Sequence, residues 1–269
     1  LSGLMRRFHQ AREKEHRMIK RIAVLNADGA LCQALARAAE GHDAIIVAVP
    51  PGEAPPPGAV VLAAGSAPAE AALDAARAAG AEPEGVLVLL ADAIACREGI
   101  PEGASERVRR YALRFARALG LSPEEQFSLE RAALLRDIGK IRIPNEILLK
   151  KSVLDYDEWT LLQSHAALGA ELLAERGICR DVLDAVRYHH ECYDGDGYPD
   201  HLEKDAIPLP ARIMKILDVY CAMTSPRHYR PTHCTHEDAV VHLKNERGKH
   251  FDPHLTDVFI EARIGMGAE

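Results

Sequence analysis

The sequence has six cysteines, Cys32, Cys96, Cys179, Cys192, Cys221 and Cys234, and no two of them form a CxxC pair. With that scatter neither a disulfide framework nor a zinc ribbon is indicated, and a reducing cytoplasm fits best. No apolar run approaches the length of about 18 residues that a membrane-spanning helix needs, and no signal-peptide core stands near the start. A basic excess is missing too. The net charge of -7 argues against DNA or general nucleic-acid binding and for small partners, leaving room for a local basic pocket that takes an anion. What is present, 48% hydrophobic and 27% charged residues in a chain of 269, suits one large domain or two smaller ones.

The pattern along the chain favours two domains of different class, an α/β domain followed by an all-α domain. Residues 1–20 set Leu1, Leu4, Met5, Phe8 and Ile19 among charged residues, as an exposed or partner-seeking helix does. Over 21–95, short apolar runs at 22–25, 44–49, 60–64 and 86–90 alternate with Ala-rich helical segments at 31–39 and 69–79, which predicts a small parallel sheet. The Pro-rich insert 50–58 stands where a second crossover helix belongs. This layout resembles a truncated receiver domain of two-component signalling, although the third run ends in Ala63, Ala64 and Gly65 with no Asp to phosphorylate; a plain α/β docking module fits equally. Gly99, Pro101 and Gly103 mark a boundary, and residues 96–269 become helical in period.

In that second part, Val108, Tyr111, Ala112, Phe115 and Leu119 share one helix face, with Arg107, Arg110, Arg114 and Arg117 on the solvated side. Ser122, Pro123 and Glu125 predict a capped helix start running to about Gly139. Asp155 with Glu158 predicts another, which carries Trp159, Leu162, Ala166, Gly169 and Leu173 inward and stops at Gly177. Spacings of three and four bring His165, His189 and Asp218 to packed faces, and further helices follow Thr235 and Asp252-Pro253.

The densest chemistry lies in the twelve residues from Tyr188 to Pro199, with adjacent His189 and His190, several acids and a Gly-rich turn. Paired imidazoles suit a transition metal, and a polar helix end entering a surface loop is the plain alternative. Asp137, His165, His189 or His190, and Asp218 come from different helices, which is how bundles build metal sites. Lys140, one turn beyond Asp137, is placed as a point charge for a phosphate oxygen.

In order and spacing, Asp137-Ile138-Gly139-Lys140, Ser164-His165, His189-His190-Glu191, Asp194-Gly195-Asp196-Gly197-Tyr198-Pro199, Asp218-Val219, Arg227-His228-Tyr229-Arg230-Pro231 and His250-Phe251-Asp252-Pro253 resemble the HD-GYP domain across residues 100–264. The resemblance implies an all-α metal phosphohydrolase fold that hydrolyses cyclic di-GMP with two or three ions, often iron or manganese. It implies that Asp137 bridges metals, that His165, His189 and His190 hold one ion and that Asp218 holds the other. Lys140 would touch the scissile phosphate, Arg212, Arg230 and Tyr198 would meet the ligand, and Gly197, Tyr198 and Pro199 would form a loop for partner proteins as well.

The departures from the family pattern matter as much. Arg136 stands where the family's His-Asp doublet has His, Ala104 replaces an earlier ligand His, and Ile100 stands where many members carry Glu. A guanidinium cannot ligate a metal, so one divalent ion is expected on the histidine side and the second site is expected to be lost, with Arg136 pairing with Asp137 or Asp218. The expectation is a cytoplasmic cyclic di-GMP signalling protein, weakly active or inactive as a phosphodiesterase, acting by binding a nucleotide or a protein. A working phosphodiesterase with altered coordination and an interaction module without nucleotide are the alternatives, and a homodimer is left open.

Overall fold

Helical periodicity and local capping dictate most of the C-terminal architecture. The computed structural model describes residues 22–25, 46–49, 60–63, 95, 98, 100, 104–175, 177–225 and 234–266. The chain divides into two units, Leu1–Arg97 and Glu98–Glu269; the boundary expected from the sequence lay two residues earlier.

In the first unit three short strands pair in parallel in the order β2-β1-β3: β1 (Ile22–Leu25), β2 (Ile46–Val49) and β3 (Val60–Ala63). Ile22 aligns with Ile46 on one side and Val60 on the other. The helices expected at 1–20, 31–39 and 69–79, the Pro-rich insert and the fourth run at 86–90 lie outside the described residues. Three parallel strands do not by themselves make a receiver domain.

The second unit is helical. Helix α1 (Ala104–Ala118) buries Val108, Ala112, Phe115 and Ala116. Helix α2 (Pro123–Leu135) starts in a reciprocal cap: the Glu125 amide donates to the Ser122 hydroxyl at 3.3 Å and the Ser122 amide to the Glu125 carboxylate at 2.8 Å. Such caps satisfy donors that a helix start leaves orphaned. Instead of continuing to Gly139, α2 stops at Leu135, and a 3-10 turn occupies Ile138–Arg142. After the short α3 (Asn145–Leu148), Asp155 and Glu158 cap α4 (Tyr156–Gln163) in the same reciprocal way.

One long helix was expected from Asp155 to Gly177; two are found, α4 and α5 (His165–Ala174), broken at Ser164, whose hydroxyl donates to the Leu161 carbonyl at 2.6 Å. Trp159, expected inside, is 48% exposed, while Ala166, Gly169 and Leu173 are buried. Helix α6 (Arg180–Tyr188) buries Val182, Ala185 and Val186, and α7 (Leu209–Thr224) supplies the largest internal face, including Ile213, Met214, Leu217 and Tyr220. Helices α8 (His236–Asn245) and α9 (Pro253–Glu261) close the unit, with Phe259 edge-on to Phe115 at 5.5 Å. Arg107 and Arg114 are not simply solvated: Arg107 donates to the Cys221 and Thr224 carbonyls at the end of α7, and Arg114 to those of Arg263 and Met266. Among the described residues no helix is long and apolar enough to cross a membrane.

One contact fixes the 3-10 turn against α5. A Cβ at Gly139 would lie 2.0 Å from the His165 carbonyl oxygen and 2.5 Å from the Gly169 nitrogen, so only glycine allows the two backbones to meet. Gly139→Ala is expected to destabilise the helical unit by about 1–3 kcal/mol, as overpacking does. Urea denaturation of the two proteins checks this; an unchanged midpoint would mean that the approach is not required.

Candidate metal and phosphate site

Gly139 places two side chains beside α5. Asp137 stands at the N-terminal end of the 3-10 turn and Lys140 three residues on, a spacing at which 3-10 side chains eclipse. His165 opens α5 and is 2% exposed, His189 and His190 follow the last residue of α6, and Asp218 comes from the middle of α7. The sequence-expected set of five metal-ligating residues therefore converges from four segments.

The ligand nitrogens of His165, His189 and His190 all lie within 4.8 Å of one another. The Nδ1 of His165 is 2.7 Å from the Leu162 carbonyl and that of His189 is 2.8 Å from the Val186 carbonyl. A carbonyl only accepts, so Nδ1 carries the proton in both rings and Nε2 presents a lone pair. Both Nε2 atoms are buried without a hydrogen-bond partner. Burial holds all three imidazoles below their ordinary pKa, His189 at about 4, with the crowding of neighbouring rings adding to the effect on His189 and His190. The His165 Nε2 also faces Asp137 Oδ1 at 3.6 Å, two electron-rich atoms that a cation between them would reconcile. Orphaned lone pairs oriented by second-side hydrogen bonds to carbonyls are the donor set of a divalent metal, and these residues fit one.

The other half of the pocket is built differently. The Arg136 Nε donates to Asp218 Oδ1 at 3.0 Å, Nη2 lies 3.3 Å from Asp137 Oδ2, and Nη1 donates to the Ala133 carbonyl at 2.9 Å. Ala104, at the first position of α1, offers no ligand atom. Burial alone would push the Asp137 carboxyl up, but Lys140 and Arg136 hold it well below the ordinary carboxylate range. Asp218 behaves likewise, with Arg136 outweighing burial and the charge of Asp137.

Lys140 Nζ is 3.0 Å from Asp137 Oδ1 and contacts both carboxylate oxygens of Glu98, at 3.1 and 3.0 Å. Burial would lower its pKa; the two acids raise it instead. Glu98 was missed by the sequence reasoning, which looked two residues on at Ile100; an acid that close to the expected position was the available signal. Lys215 was missed as well. It stands three residues before Asp218 on α7, and its Nζ donates to the His190 carbonyl at 3.0 Å.

Tyr198 stacks on His190, with ring centroids 4.7 Å apart and planes tilted by 21°. Glu191, 1% exposed, holds the loop that brings it there by accepting from the Asp200 and Leu202 amides at 2.8 and 3.2 Å. Gly197 lies against the Glu191 and Cys192 backbone, where a Cβ would come within 2.2 Å of the Cys192 nitrogen; Pro199 follows Tyr198 in that loop. Arg212 is paired with Asp252 at 2.6 Å and Asp205 at 2.8 Å, and Asp252 also caps α9. Arg230, with the motif from Arg227 to Pro231, lies outside the described residues.

The HD domain family matches residues 88–255. The chain belongs to that family. It is 43% identical over 180 residues to the cyclic di-GMP phosphodiesterase response regulator RpfG of Xanthomonas campestris pv. campestris, covering 66% of this chain and 47% of that protein. It is 35% identical over 174 residues to the 3'3'-cGAMP-specific phosphodiesterase 2 of Vibrio cholerae, covering 64% and 33%. The fold is shared with the crystal structure of a cyclic GMP-AMP specific phosphodiesterase of V. cholerae, at a TM-score of 0.51 and 20% identity over 66% of this chain and 48% of that one. The aligned part of this HD domain protein thus spans less than half the length of these relatives.

The imidazole shifts have a pH consequence in the metal-free protein. An unfolded His189 takes up its proton near pH 6.5 and the folded one only near 4, so the unfolded state binds more protons between those values and stability falls as pH drops through that window. About 2 kcal/mol is expected to be lost from His189 between pH 6.5 and pH 5. Denaturation curves in chelator across that range check this; the loss should shrink in His189→Gln, and an equal slope in both proteins would contradict the assignment.

Proposed function

We propose that this chain binds a cyclic dinucleotide, cyclic di-GMP first, and is weakly active or inactive as a phosphodiesterase, holding one divalent ion, iron or manganese, on its histidine side. The carrying observation is the Arg136 guanidinium engaged with both Asp137 and Asp218 beside an intact cluster of three imidazoles. His165, His189 and His190, with Asp137 Oδ1, would hold the ion, which supplies Lewis-acid polarisation of a phosphoryl oxygen. Lys140 neutralises a phosphate oxygen as a point charge, and the Tyr198 ring closes the outer side of His190.

Efficient phosphodiester hydrolysis benefits from charge stabilisation on both the attacking and the leaving oxygen. The ligands left for a second ion, Asp218 and the second oxygen of Asp137, already have a fixed cation. That guanidinium is held in place by protein oxygens, which take one contact from each of its three nitrogens, and its charge is already shared between Asp137 and Asp218. In the ion-paired cluster, Glu98, Asp137 and Asp218 oppose Arg136 and Lys140, leaving one negative charge. One divalent ion turns that balance positive and favours an anionic ligand; a second would meet a neighbouring guanidinium and gain little.

The Gly197, Tyr198 and Pro199 loop and residues 21–95 are assigned partner and input roles in the same reading. A parallel sheet in the order β2-β1-β3 is compatible with an open, receiver-like α/β domain for the latter.

Protein purified without chelator is expected to carry about one divalent metal per chain and to bind cyclic di-GMP with little or no turnover in manganese or iron. Two metals with sustained turnover would replace this reading by that of a working phosphodiesterase, and neither metal nor nucleotide by that of an interaction module. Restoring Ala104→His with Arg136→His should raise metal content; unchanged content in the folded double variant would count against Arg136 and Ala104 being what removes the second ion.

A further inference from the structure

An ammonium has three N–H donors. Those of Lys140 face acceptors that include Glu98 Oε1 at 3.1 Å, Glu98 Oε2 at 3.0 Å and Asp137 Oδ1 at 3.0 Å. A phosphodiester oxygen that takes an N–H of Lys140 competes with these carboxylates. Asp137 is the fixed partner, because its other oxygen faces Arg136 and its backbone begins the turn that Gly139 locks against α5. Glu98 stands in a turn ahead of α1, outside any helix. Both its oxygens address the one ammonium, in the way that two non-bridging oxygens of a phosphodiester would.

We propose that Glu98 is an internal competitor of the ligand phosphate for Lys140, and that its carboxylate sets how tightly the pocket takes a phosphodiester. The inference rests on the assignment of Lys140 to the ligand phosphate made above. Glu98 opens the helical unit ahead of α1 and is not among the residues assigned to the metal, so its effect should be separable from metal content.

Calorimetric titration of the full chain with cyclic di-GMP tests it, using wild type, Glu98→Gln, Lys140→Met and the double variant, each shown to fold by its thermal transition. Glu98→Gln keeps the shape and removes the charge. It is expected to tighten binding roughly three- to tenfold, and that gain should vanish in the Lys140→Met background. Unchanged or weaker binding by Glu98→Gln would overturn the proposal and make Glu98 a residue that positions Lys140. A gain that survives Lys140→Met would overturn it too, since the carboxylate would then act through general repulsion. Absence of binding by both wild type and Glu98→Gln would sink the dinucleotide reading itself, and this inference with it.

Discussion

The pocket depends on how two half-buried carboxylates from different segments are neutralised. Asp137 and Asp218 face one guanidinium, and an unpaired charge in their place is costly. In this chain the opposing charge is covalently attached: Arg136 reaches Asp218 with Nε and Asp137 with Nη2 and fastens its remaining arm to the carbonyl one turn behind. Such a cation is always present, does not exchange and cannot be removed by chelation. The pocket is neutralised on this side whatever the metal supply, and in the proposed reading the same feature takes its acids out of competition for an ion.

The histidine side has the opposite character. His165 and His189 are oriented by carbonyls of their own helices, crowded against His190 and left with lone pairs that meet nothing. Burial without a partner is unfavourable until a cation arrives, so this half is prepared for an ion while the other half is already satisfied. Lys140 and Asp137 lie at the seam. Gly139 permits the backbone approach that sets their height relative to His165, and Glu191 anchors the loop that lays Tyr198 over His190. The pocket is thus asymmetric: a guanidinium neutralises the acids on one side, and imidazole lone pairs meet no partner on the other.

Much of this was legible in the sequence because it is local. The caps Ser122 with Glu125 and Asp155 with Glu158 are three-residue patterns with one physical solution, and spacings of three and four brought His165, His189 and Asp218 to inward faces. What was not legible depends on distant partners or on small angular changes. The break at Ser164 leaves no strong signal, since serine is tolerated inside helices, and the exposure of Trp159 is not legible from its spacing alone. The carbonyls that Arg107 and Arg114 cap lie more than a hundred residues away in the chain. Glu98 sits in a stretch without periodicity, and only the folded unit brings it to Lys140. Glu191 reads as part of a metal motif from its neighbours, whereas its carboxylate is spent on two backbone amides.

The central claim is that Arg136 holds the place of a second ion. The most direct measurement is anomalous diffraction at the manganese edge from crystals of the protein grown with manganese. The account predicts a single anomalous peak among His165, His189 and His190, with the guanidinium still lying between Asp137 and Asp218. Two peaks, with Arg136 swung out and both carboxylates on metal, would contradict it.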